Sequence, residues 1–393
     1  MNDSLQPRSL REEDGGNADE AVATAQFLLR APLRSLDARG CRAPLPRGGT
    51  ASLAARVAAF FAAPRAGLPL LVGALPFDPQ ADDALHQPEW LAPAAAALPA
   101  PPVPRFSGTV SAEPSAQHYA DAVGRALTGL QQPAPDLHKV VLARSLHLHS
   151  EQPIAPRELA ARLGHDPSVA TYLVPLPVEA QAPPAWLVGA TPELLVSRRG
   201  TRVLSHPLAG SARRCADPAE DARTAQALLG SAKDHDEHRH VVEAIVAALA
   251  PWCSDVQADA RPSLHATATM WHLGTRIEAT LIDATTPVSA LVAALHPTPA
   301  VCGTPRQLAL DTIRALEPVP RGFYAGAVGW TDADGDGDWY VAIRCARVQG
   351  RQARVYAGAG IVADSEPALE VAETAAKFGA LLNALGVDHV PSA

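Results

Sequence analysis

Residues 325–357 read AGAVGWTDADGDGDWYVAIRCARVQGRQARVYA. Three runs of apolar, β-branched and aromatic residues, at 325–330, 339–344 and 353–357, are separated by short polar segments, which predicts three strands joined by tight turns. Strands joined by such short turns are antiparallel, because a parallel neighbour needs a long crossover connection. The stretch therefore favours an α+β fold with mainly antiparallel sheets over a doubly wound parallel sheet.

The same pattern extends along the chain on both sides of this stretch. Helices are predicted over residues 111–130, 222–250 and 367–385, where apolar positions recur with helical spacing. Further strands are predicted at residues 137–148, 170–174, 185–188, 193–197, 201–204 and 266–274. Helices and strands do not alternate one for one, which again favours an α+β protein.

Composition and charge exclude several classes of protein. The chain has 393 residues, 47% of them hydrophobic, and a formal charge of −8. This length and apolar content allow a substantial core, whereas the negative charge argues against nucleic-acid binding because no basic stripe is present to contact phosphates. The apolar stretch 51–77 is interrupted by Arg56, Pro64 and Arg65, and residues 1–16 are polar, so neither a membrane role nor a signal peptide is predicted.

The five cysteines are scattered and form no C-x-x-C spacing. We therefore expect free thiols in a reducing compartment, and a cytoplasmic location. No long apolar helix is left over for an interface, so a monomer is expected.

Two acidic pairs predict a metal site. Asp234 and Glu237 share one face of a helix, as do Glu370 and Glu373, because residues three apart lie one turn above each other. Asp234 and Glu237 extend the apolar row of their helix and so face the core, where acids need a partner. If the two helices meet, four carboxylates converge, and an oxygen-only ligand set favours Mg²⁺ over zinc. We therefore expect a magnesium-dependent enzyme for an anionic substrate.

Three other motifs predict alternatives that the sequence does not support well. Residues 332–338 imitate the start of a calcium loop, but Ile343 stands where a bidentate Glu is required, and a hairpin turn explains the run better. Residues 358–363 resemble part of a dinucleotide fingerprint, yet the chain ends before a second parallel strand could follow. His235, His238 and His240 suggest a zinc hydrolase, although one helix cannot aim all three inward.

A lysine and a glutamate could supply acid-base chemistry. Strand alternation places Lys139 on the same face as Val141 and Ala143, and an amine on an apolar face can become a usable base. A lysine that protects a sheet edge is the commoner alternative. Glu193 stands between two apolar runs, where a carboxyl kept neutral by burial could donate a proton, or it could be an exposed turn residue.

The order of motifs over residues 115–388 resembles that of the isochorismate synthases, within a wider family of chorismate-utilising enzymes that includes salicylate synthase, anthranilate synthase component I and aminodeoxychorismate synthase. Many motifs in sequence are far more specific than any one of them. These motifs are KVVLAR at 139–144, GATPE at 189–193, PLAGSARR at 207–214, KDHDEH at 233–238, WHL at 271–273, HPTPA at 296–300, VAIRC at 341–345 and the glycine-rich turn at 357–360 followed by Glu370, Glu373 and Lys377.

The resemblance implies a fold. It predicts a single α+β domain with two large, mainly antiparallel sheets stacked between helices. Residues 1–110, with a Pro/Ala-rich connection at 91–104, would form a variable N-terminal part of this fold. Residues 111–390 would form the chorismate-binding catalytic core.

The resemblance also implies a reaction, in which water adds to carbon 2 of chorismate and the hydroxyl of carbon 4 leaves. Lys139 would be the general base for the water, and Glu193 the general acid for the departing hydroxyl. Glu237 and Glu373 would bind Mg²⁺ directly, with Asp234 and Glu370 reaching it through water.

The substrate's two carboxylates would be held by a further set of groups. By the same resemblance these are Arg344 and Lys377, with backbone N–H groups near Gly210, Ser211 and Gly360, while His272 lines the same pocket. No nicotinamide, flavin or nucleotide is expected.

Finer features separate the branches of the family. Lys139 favours the water-adding branch over the ammonia-using one, and Ala300 resembles the isochorismate branch because salicylate and anthranilate enzymes carry Thr there. Tyr324 instead resembles salicylate synthases. Lys139 and Ala300 lead us to expect an isochorismate synthase, and Tyr324 keeps open the alternative of a salicylate synthase, which also eliminates pyruvate. A silent chorismate-binding regulator would not need both Lys139 and Glu193. The pathway served, whether to a siderophore, menaquinone or salicylate, depends on neighbouring enzymes.

Overall fold

A computed structural model describes residues 26–64, 66–93 and 100–388. Within these ranges the chain forms two large sheets, one small sheet and eight α-helices. The strand pairs in all three sheets are antiparallel. The predicted α+β class with two large antiparallel sheets is confirmed.

The helices are α1 (Leu53–Ala62), α2 (Ala116–Leu130), α3 (Pro156–Leu163), α4 (Pro218–Gly230), α5 (Ala232–Leu249), α6 (Val288–Leu295), α7 (Arg306–Leu316) and α8 (Pro367–Leu385). The strands are β1 (Gln26–Arg30), β2 (Leu36–Arg39), β3 (Ala43–Pro44), β4 (Leu70–Leu75), β5 (Ala84–Gln87), β6 (Trp90–Ala92), β7 (Gly108–Glu113), β8 (Lys139–Ser150), β9 (Ala170–Leu176), β10 (Ala185–Thr191), β11 (Leu194–Arg199), β12 (Arg202–His206), β13 (Leu208–Arg213), β14 (Cys253–Ala258), β15 (Ser263–Ala266), β16 (Met270–Gly274), β17 (Ile277–Leu281), β18 (Gly303–Thr304), β19 (Ala327–Asp332), β20 (Gly337–Val341), β21 (Cys345–Gln349) and β22 (Gln352–Ile361).

The strand order mixes distant parts of the sequence. The ten-stranded first sheet has the order β18-β8-β22-β21-β10-β9-β1-β2-β6, with β7 also paired to β8. The nine-stranded second sheet has the order β14-β17-β12-β11-β20-β19-β4-β5-β3, and the small sheet the order β13-β16-β15. Strands from the N-terminal hundred residues are therefore built into both large sheets.

Side-chain alternation in β1 shows how the first sheet divides the core. Phe27 and Leu29 belong to the cluster that also contains Trp330 of the second sheet. Leu28, between them, belongs to a second cluster with Leu159 of α3 and Phe378 of α8. Since successive strand residues point to opposite faces, one face of the first sheet meets the second sheet and the other is covered by helices.

Several expected elements differ in the structure. Residues 111–113, expected in a helix, belong to β7, and the helix begins at Ala116. A strand that was not predicted, β21, stands between the runs 339–344 and 353–357, and it lies with β22 in the first sheet, whereas β19 and β20 lie in the second. The single helix predicted over 222–250 is two helices that meet at Ser231, whose backbone is extended and whose Oγ accepts the N–H of Asp234 at 3.2 Å. The hydroxyl caps the second helix. The apolar periodicity continues across this break, and the sequence pattern alone therefore does not reveal it. The region predicted as one strand at 266–274 is likewise a hairpin, formed by β15 and β16.

The prediction of a glycine-rich turn at residues 357–360 is wrong. These residues lie inside β22, where Gly358 pairs with Ala143 and Gly360 with Val141. Gly360 is required for close approach, because a Cβ there would lie 2.1 Å from Glu237 Oε1. The predicted hairpin turn at 332–338 is confirmed between β19 and β20, and Asp332 accepts N–H groups within it.

All five cysteines are free thiols in the structure, as expected. Among the described helices, none combines the length and the apolar character needed to cross a membrane.

Candidate active site

A cavity of about 70 Å³ lies where the first sheet, the small sheet and helices α5 and α8 meet. Its walls include many of the residues predicted from the sequence. These are Glu193, Gly210, Ser211, Glu237, His272, Ala300, Tyr324, Arg344, Gly360 and Lys377. Four further candidates lie directly behind this wall: Lys139, Asp234, Glu370 and Glu373. Lys139 contacts Glu237 of the wall, and Glu373 contacts Ser211. The charge of Glu373 acts on both Asp234 and Glu370.

Lys139 begins β8 and is fully buried. Its backbone pairs with Thr304 of β18, so the edge-protecting role is not what the structure shows. The Nζ atom lies 3.0 Å from Glu237 Oε1, yet it has no hydrogen-bond acceptor among the described residues. Lys139 is therefore a buried amine with an ion-pair partner, and its Cε lies beside Gly360 of the cavity wall.

Glu193 follows the end of β10 and is only 2% exposed. Burial raises the pKa of its carboxyl to about 8, although the charge of Lys139 and the N–H of Leu208 act to lower it. The group is therefore mostly protonated at neutral pH, as a proton donor must be. The alternative of an exposed turn residue is excluded by its burial.

The four acids predicted as metal ligands come from the first two turns of α5 and the first two turns of α8. Burial raises the pKa of Asp234, and the nearby charges of Glu237 and Glu373 raise it further. Burial and Glu373 likewise raise the pKa of Glu370. The two helices thus bring the acidic pairs into one electrostatic cluster, as the helical spacing required.

Lysines compensate this negative charge. Lys233 Nζ lies 2.6 Å from Glu370 Oε1, and Lys377 Nζ lies 2.5 Å from Glu373 Oε1. Burial acts to raise the pKa of Glu373, but Lys377, Lys233 and the Ser211 hydroxyl together outweigh it, and the net pKa is lowered. Ser211 Oγ donates a further hydrogen bond to Glu373 at 3.0 Å.

The donor set fits a hard cation. All four side chains offer carboxylate oxygens, and the missing side chain of Gly360 leaves room for Glu237, as Gly210 does for Asp234. In the arrangement described, with lysines engaging three of the acids, no three His, Cys, Asp or Glu side chains of the described residues are grouped closely enough to coordinate an ion.

Arg344 and Lys377 give the cavity a cationic side. Arg344 has a positive φ of 51°, and its carbonyl accepts the N–H of Ala190 at 3.1 Å. Burial lowers the pKa of its guanidinium. Lys377 Nζ also donates to the carbonyl of Gly358 at 2.9 Å. These two cations are the groups best suited to an anionic ligand.

The remaining wall is formed by the small sheet and two tyrosines. His272 of β16 lies opposite Ser211 of β13, is buried, and has an Nε2 atom without a hydrogen-bond partner in the described structure. Burial, with the charges of Arg344 and Lys377, lowers the pKa of His272 well below its usual range, so it is neutral. Tyr324 stacks on Tyr356 with ring centroids 4.9 Å apart.

The three histidines considered as a zinc site point to different partners. His238 Nε2 lies 2.7 Å from Thr275 Oγ1, and His235 Nε2 lies 2.8 Å from the carbonyl of Leu229. His240 faces Asp236 on its own helix. They do not converge, as the helical geometry predicted.

Lys233 and Tyr356 are residues of the site that the sequence interpretation missed. A signal for Lys233 was present, because the whole sequence contains only three lysines and the other two, Lys139 and Lys377, were already candidates. No comparable signal marks Tyr356, which is one aromatic residue in an ordinary strand pattern.

Comparisons with known proteins agree with this geometry. The family model described as "Chorismate binding enzyme" matches residues 75–386. Isochorismate synthase DhbC of Bacillus subtilis is 43% identical over 390 residues, covering 93% of this chain and 94% of the relative. Isochorismate synthase EntC of Escherichia coli K12 is 36% identical over 385 residues, covering 93% and 96%.

A solved structure gives the same result. A Bacillus anthracis protein assigned as a 2,3-dihydroxybenzoate-specific isochorismate synthase, DhbC, superposes with a TM-score of 0.87 at 39% identity, covering 94% of this chain and all of that one. The resemblance predicted from the ordered motifs is therefore confirmed.

Proposed function

The chain belongs to the chorismate-binding enzyme family, and on that premise we propose that it is an isochorismate synthase. The observation that carries the proposal is the proximity of a fully buried amine, Lys139, to a buried carboxyl, Glu193, beside one cavity with a cationic side. An isomerisation that adds one water molecule and releases another needs one base and one acid, each held away from bulk solvent.

Lys139 is the proposed general base. In its neutral form Nζ takes a proton from a water molecule while the water oxygen bonds to carbon 2 of chorismate. Nζ forms an ion pair with Glu237 and has no hydrogen-bond partner among the described residues, which supports this role.

Glu193 is the proposed general acid. It donates its proton to the hydroxyl of carbon 4, which departs as water as the ring double bonds shift. The pKa of about 8 keeps that proton in place at neutral pH. One water enters and one leaves, so the reaction is an isomerisation.

The acidic cluster is the proposed magnesium site, held by Glu237, Glu373, Asp234 and Glu370. When bound, the ion would neutralise the ring carboxylate and draw electron density from the ring, which favours attack by water. Relatives named isochorismate synthase and the all-oxygen donor set support this assignment.

The cationic side is the proposed carboxylate-binding site. Arg344 and Lys377 supply charge, and Ser211 with the backbone at Gly210 and Gly360 supplies hydrogen-bond donors. Neutral His272, with its free Nε2, can hydrogen-bond the substrate without adding charge. These contacts orient the ring between the base and the acid.

The test is incubation of the purified protein with chorismate and Mg²⁺, followed by separation of the products. Formation of isochorismate, lost on chelation with EDTA and restored by Mg²⁺, is the expected result. Salicylate with pyruvate would assign the chain to the alternative function. Unchanged chorismate, in the presence of folded protein, would refute both.

Replacing Lys139 tests the base. We expect Lys139→Ala and Lys139→Met to lower kcat by about 10²–10⁴-fold, the usual contribution of a general base. Circular dichroism checks that each variant is folded, and kcat is measured at saturating chorismate. A folded Lys139→Met variant with wild-type kcat would show that the base is misassigned.

A further inference from the structure

The edge of β8 that faces away from β22 is paired in two separate places. Near its start, Val140 pairs with Gly303, and the N–H of Val141 donates to the carbonyl of Cys302 at 2.8 Å. From Ser145 onward the same edge pairs with β7. Between these segments lie the carbonyl of Val141 and the N–H of Ala143. No described strand forms a hydrogen bond with either group on this edge.

An ion pair fills this gap. Glu317 Oε1 accepts the N–H of Ala143 at 2.8 Å, and Arg321 Nη2 donates to the carbonyl of Val141 at 2.7 Å. Arg321 Nε donates to Glu317 Oε2 at 2.9 Å, so the two side chains are locked together. The pair supplies one acceptor and one donor to β8, as a neighbouring strand would.

The same arginine reaches the opposite side of the cavity. Arg321 Nη1 donates to the carbonyl of Val301 at 2.7 Å, and the carbonyl of Arg321 accepts the N–H of Tyr324 at 3.0 Å. Val141, Val301 and Tyr324 all line the cavity. The guanidinium is buried and lies over the ring of Phe77, 4.2 Å from its centroid.

We propose that Glu317 and Arg321 are positioning residues for the reaction, an inference that rests on the proposed function. They fix β8, which carries Lys139, against the segment that carries Ala300 and Tyr324. Neither side chain lines the cavity. They set the distance between Lys139 and the ring of the substrate. Proton transfer and the attack of water both depend strongly on that distance.

Arg321→Lys tests the proposal. Lysine keeps the charge but cannot hold Val141, Val301 and Glu317 with a planar fork at the same time. We expect kcat to fall by about 10–100-fold, as for a small misplacement of reacting groups. The KM for chorismate should stay within about 3-fold of wild type, because Arg344 and Lys377 bind the carboxylates from other elements.

Arg198→Lys is the matched control. Arg198 is also buried, donates to Asp336 Oδ1 and to two backbone carbonyls at 2.7–2.8 Å, and does not line the cavity. It should lower the melting temperature comparably while leaving kcat unchanged. If Arg321→Lys, assayed well below its melting temperature, also keeps wild-type kcat, the positioning role is overturned.

Glu317→Gln covers the case in which Arg321→Lys does not fold. Glutamine keeps the size of the side chain and an acceptor for the N–H of Ala143, and a lowered kcat at near-constant KM is again expected. Wild-type kcat in this variant would contradict the proposal. A wild-type protein that leaves chorismate unchanged would refute the proposed function instead, so the two failures are distinguishable.

Discussion

All three lysines of the chain, Lys139, Lys233 and Lys377, lie at the candidate active site, while the other 30 of its 33 basic residues are arginines. Arginine stays charged and presents a broad planar fork, which suits surface and structural ion pairs. A lysine ammonium is compact and presents a point charge to a carboxylate. Lys139, Lys233 and Lys377 accordingly each pair with one acid of the cluster.

At the residue scale, Glu193→Gln should separate activity from stability. The variant cannot donate a proton, so we expect kcat to fall by about 10²–10⁴-fold. In the wild type, kcat/KM should decline as the pH rises through about 8, because the acid then loses its proton. A pH profile of both proteins measures this, and a wild-type profile without that decline would contradict the assignment.

The same substitution should raise the stability of the protein relative to the wild type at high pH. The folded pKa of Glu193 lies above its unfolded value, so unfolding releases a proton over the pH range between the two values. The free energy of unfolding of the wild type therefore falls as the pH rises from about 4.3, the unfolded value, toward 8, whereas that of Glu193→Gln lacks this loss. Urea unfolding at pH 5 and pH 8 should show the variant gaining relative stability at the higher pH. An unchanged difference would mean that the carboxyl is not buried as a neutral group.

At the element scale, the break between α4 and α5 is part of the acidic cluster. Ser231 caps α5 by accepting the N–H of Asp234. Because Asp234 and Glu237 both lie in the first turns of this helix, fraying there would displace them.

Ser231→Ala should cost about 1 kcal/mol of stability, as for other N-cap hydroxyls. We also expect the Mg²⁺ concentration for half-maximal activity to rise several-fold. The matched control is Ser115→Ala, which removes the N-cap of α2, where Ser115 Oγ accepts the N–H of His118. The control should lose similar stability without a change in Mg²⁺ dependence, and equal Mg²⁺ responses in both variants would show that the cap does not support the metal site.

At the scale of the whole molecule, the N-terminal strands lie inside the sheets. In the first sheet β1 lies between β9 and β2, and in the second β4 lies between β19 and β5. Phe27 and Leu71 of these strands are fully buried in the shared core. Removing them would expose two strand edges and the apolar faces beneath them.

A fragment spanning residues 105–393 should therefore not fold alone. We expect it to aggregate or to lack a cooperative thermal transition, and co-expression with residues 1–104 to restore soluble protein and some chorismate turnover. Calorimetry and size-exclusion chromatography measure the outcome. A soluble fragment with a sharp transition would show that the core is independent of these strands.

Local chemistry in the sequence was sufficient for much of this protein. The strand pattern predicted the α+β class, and the spacing of Asp234 with Glu237 and of Glu370 with Glu373 predicted the acidic pairs. The family and many of the cavity residues followed from the resemblance that the ordered motifs carry. The spacing and strand patterns are short-range signals, since they depend on helical or strand periods within one element.

Contacts between distant segments were decided only by the tertiary structure. It placed Gly360 in a strand against Glu237, paired Lys233 with Glu370, and inserted Glu317 and Arg321 into the gap beside β8. These contacts depend on which strands become neighbours and in which register, and that is set by burial of the whole core. A pattern within one segment carries no record of the partner it will meet.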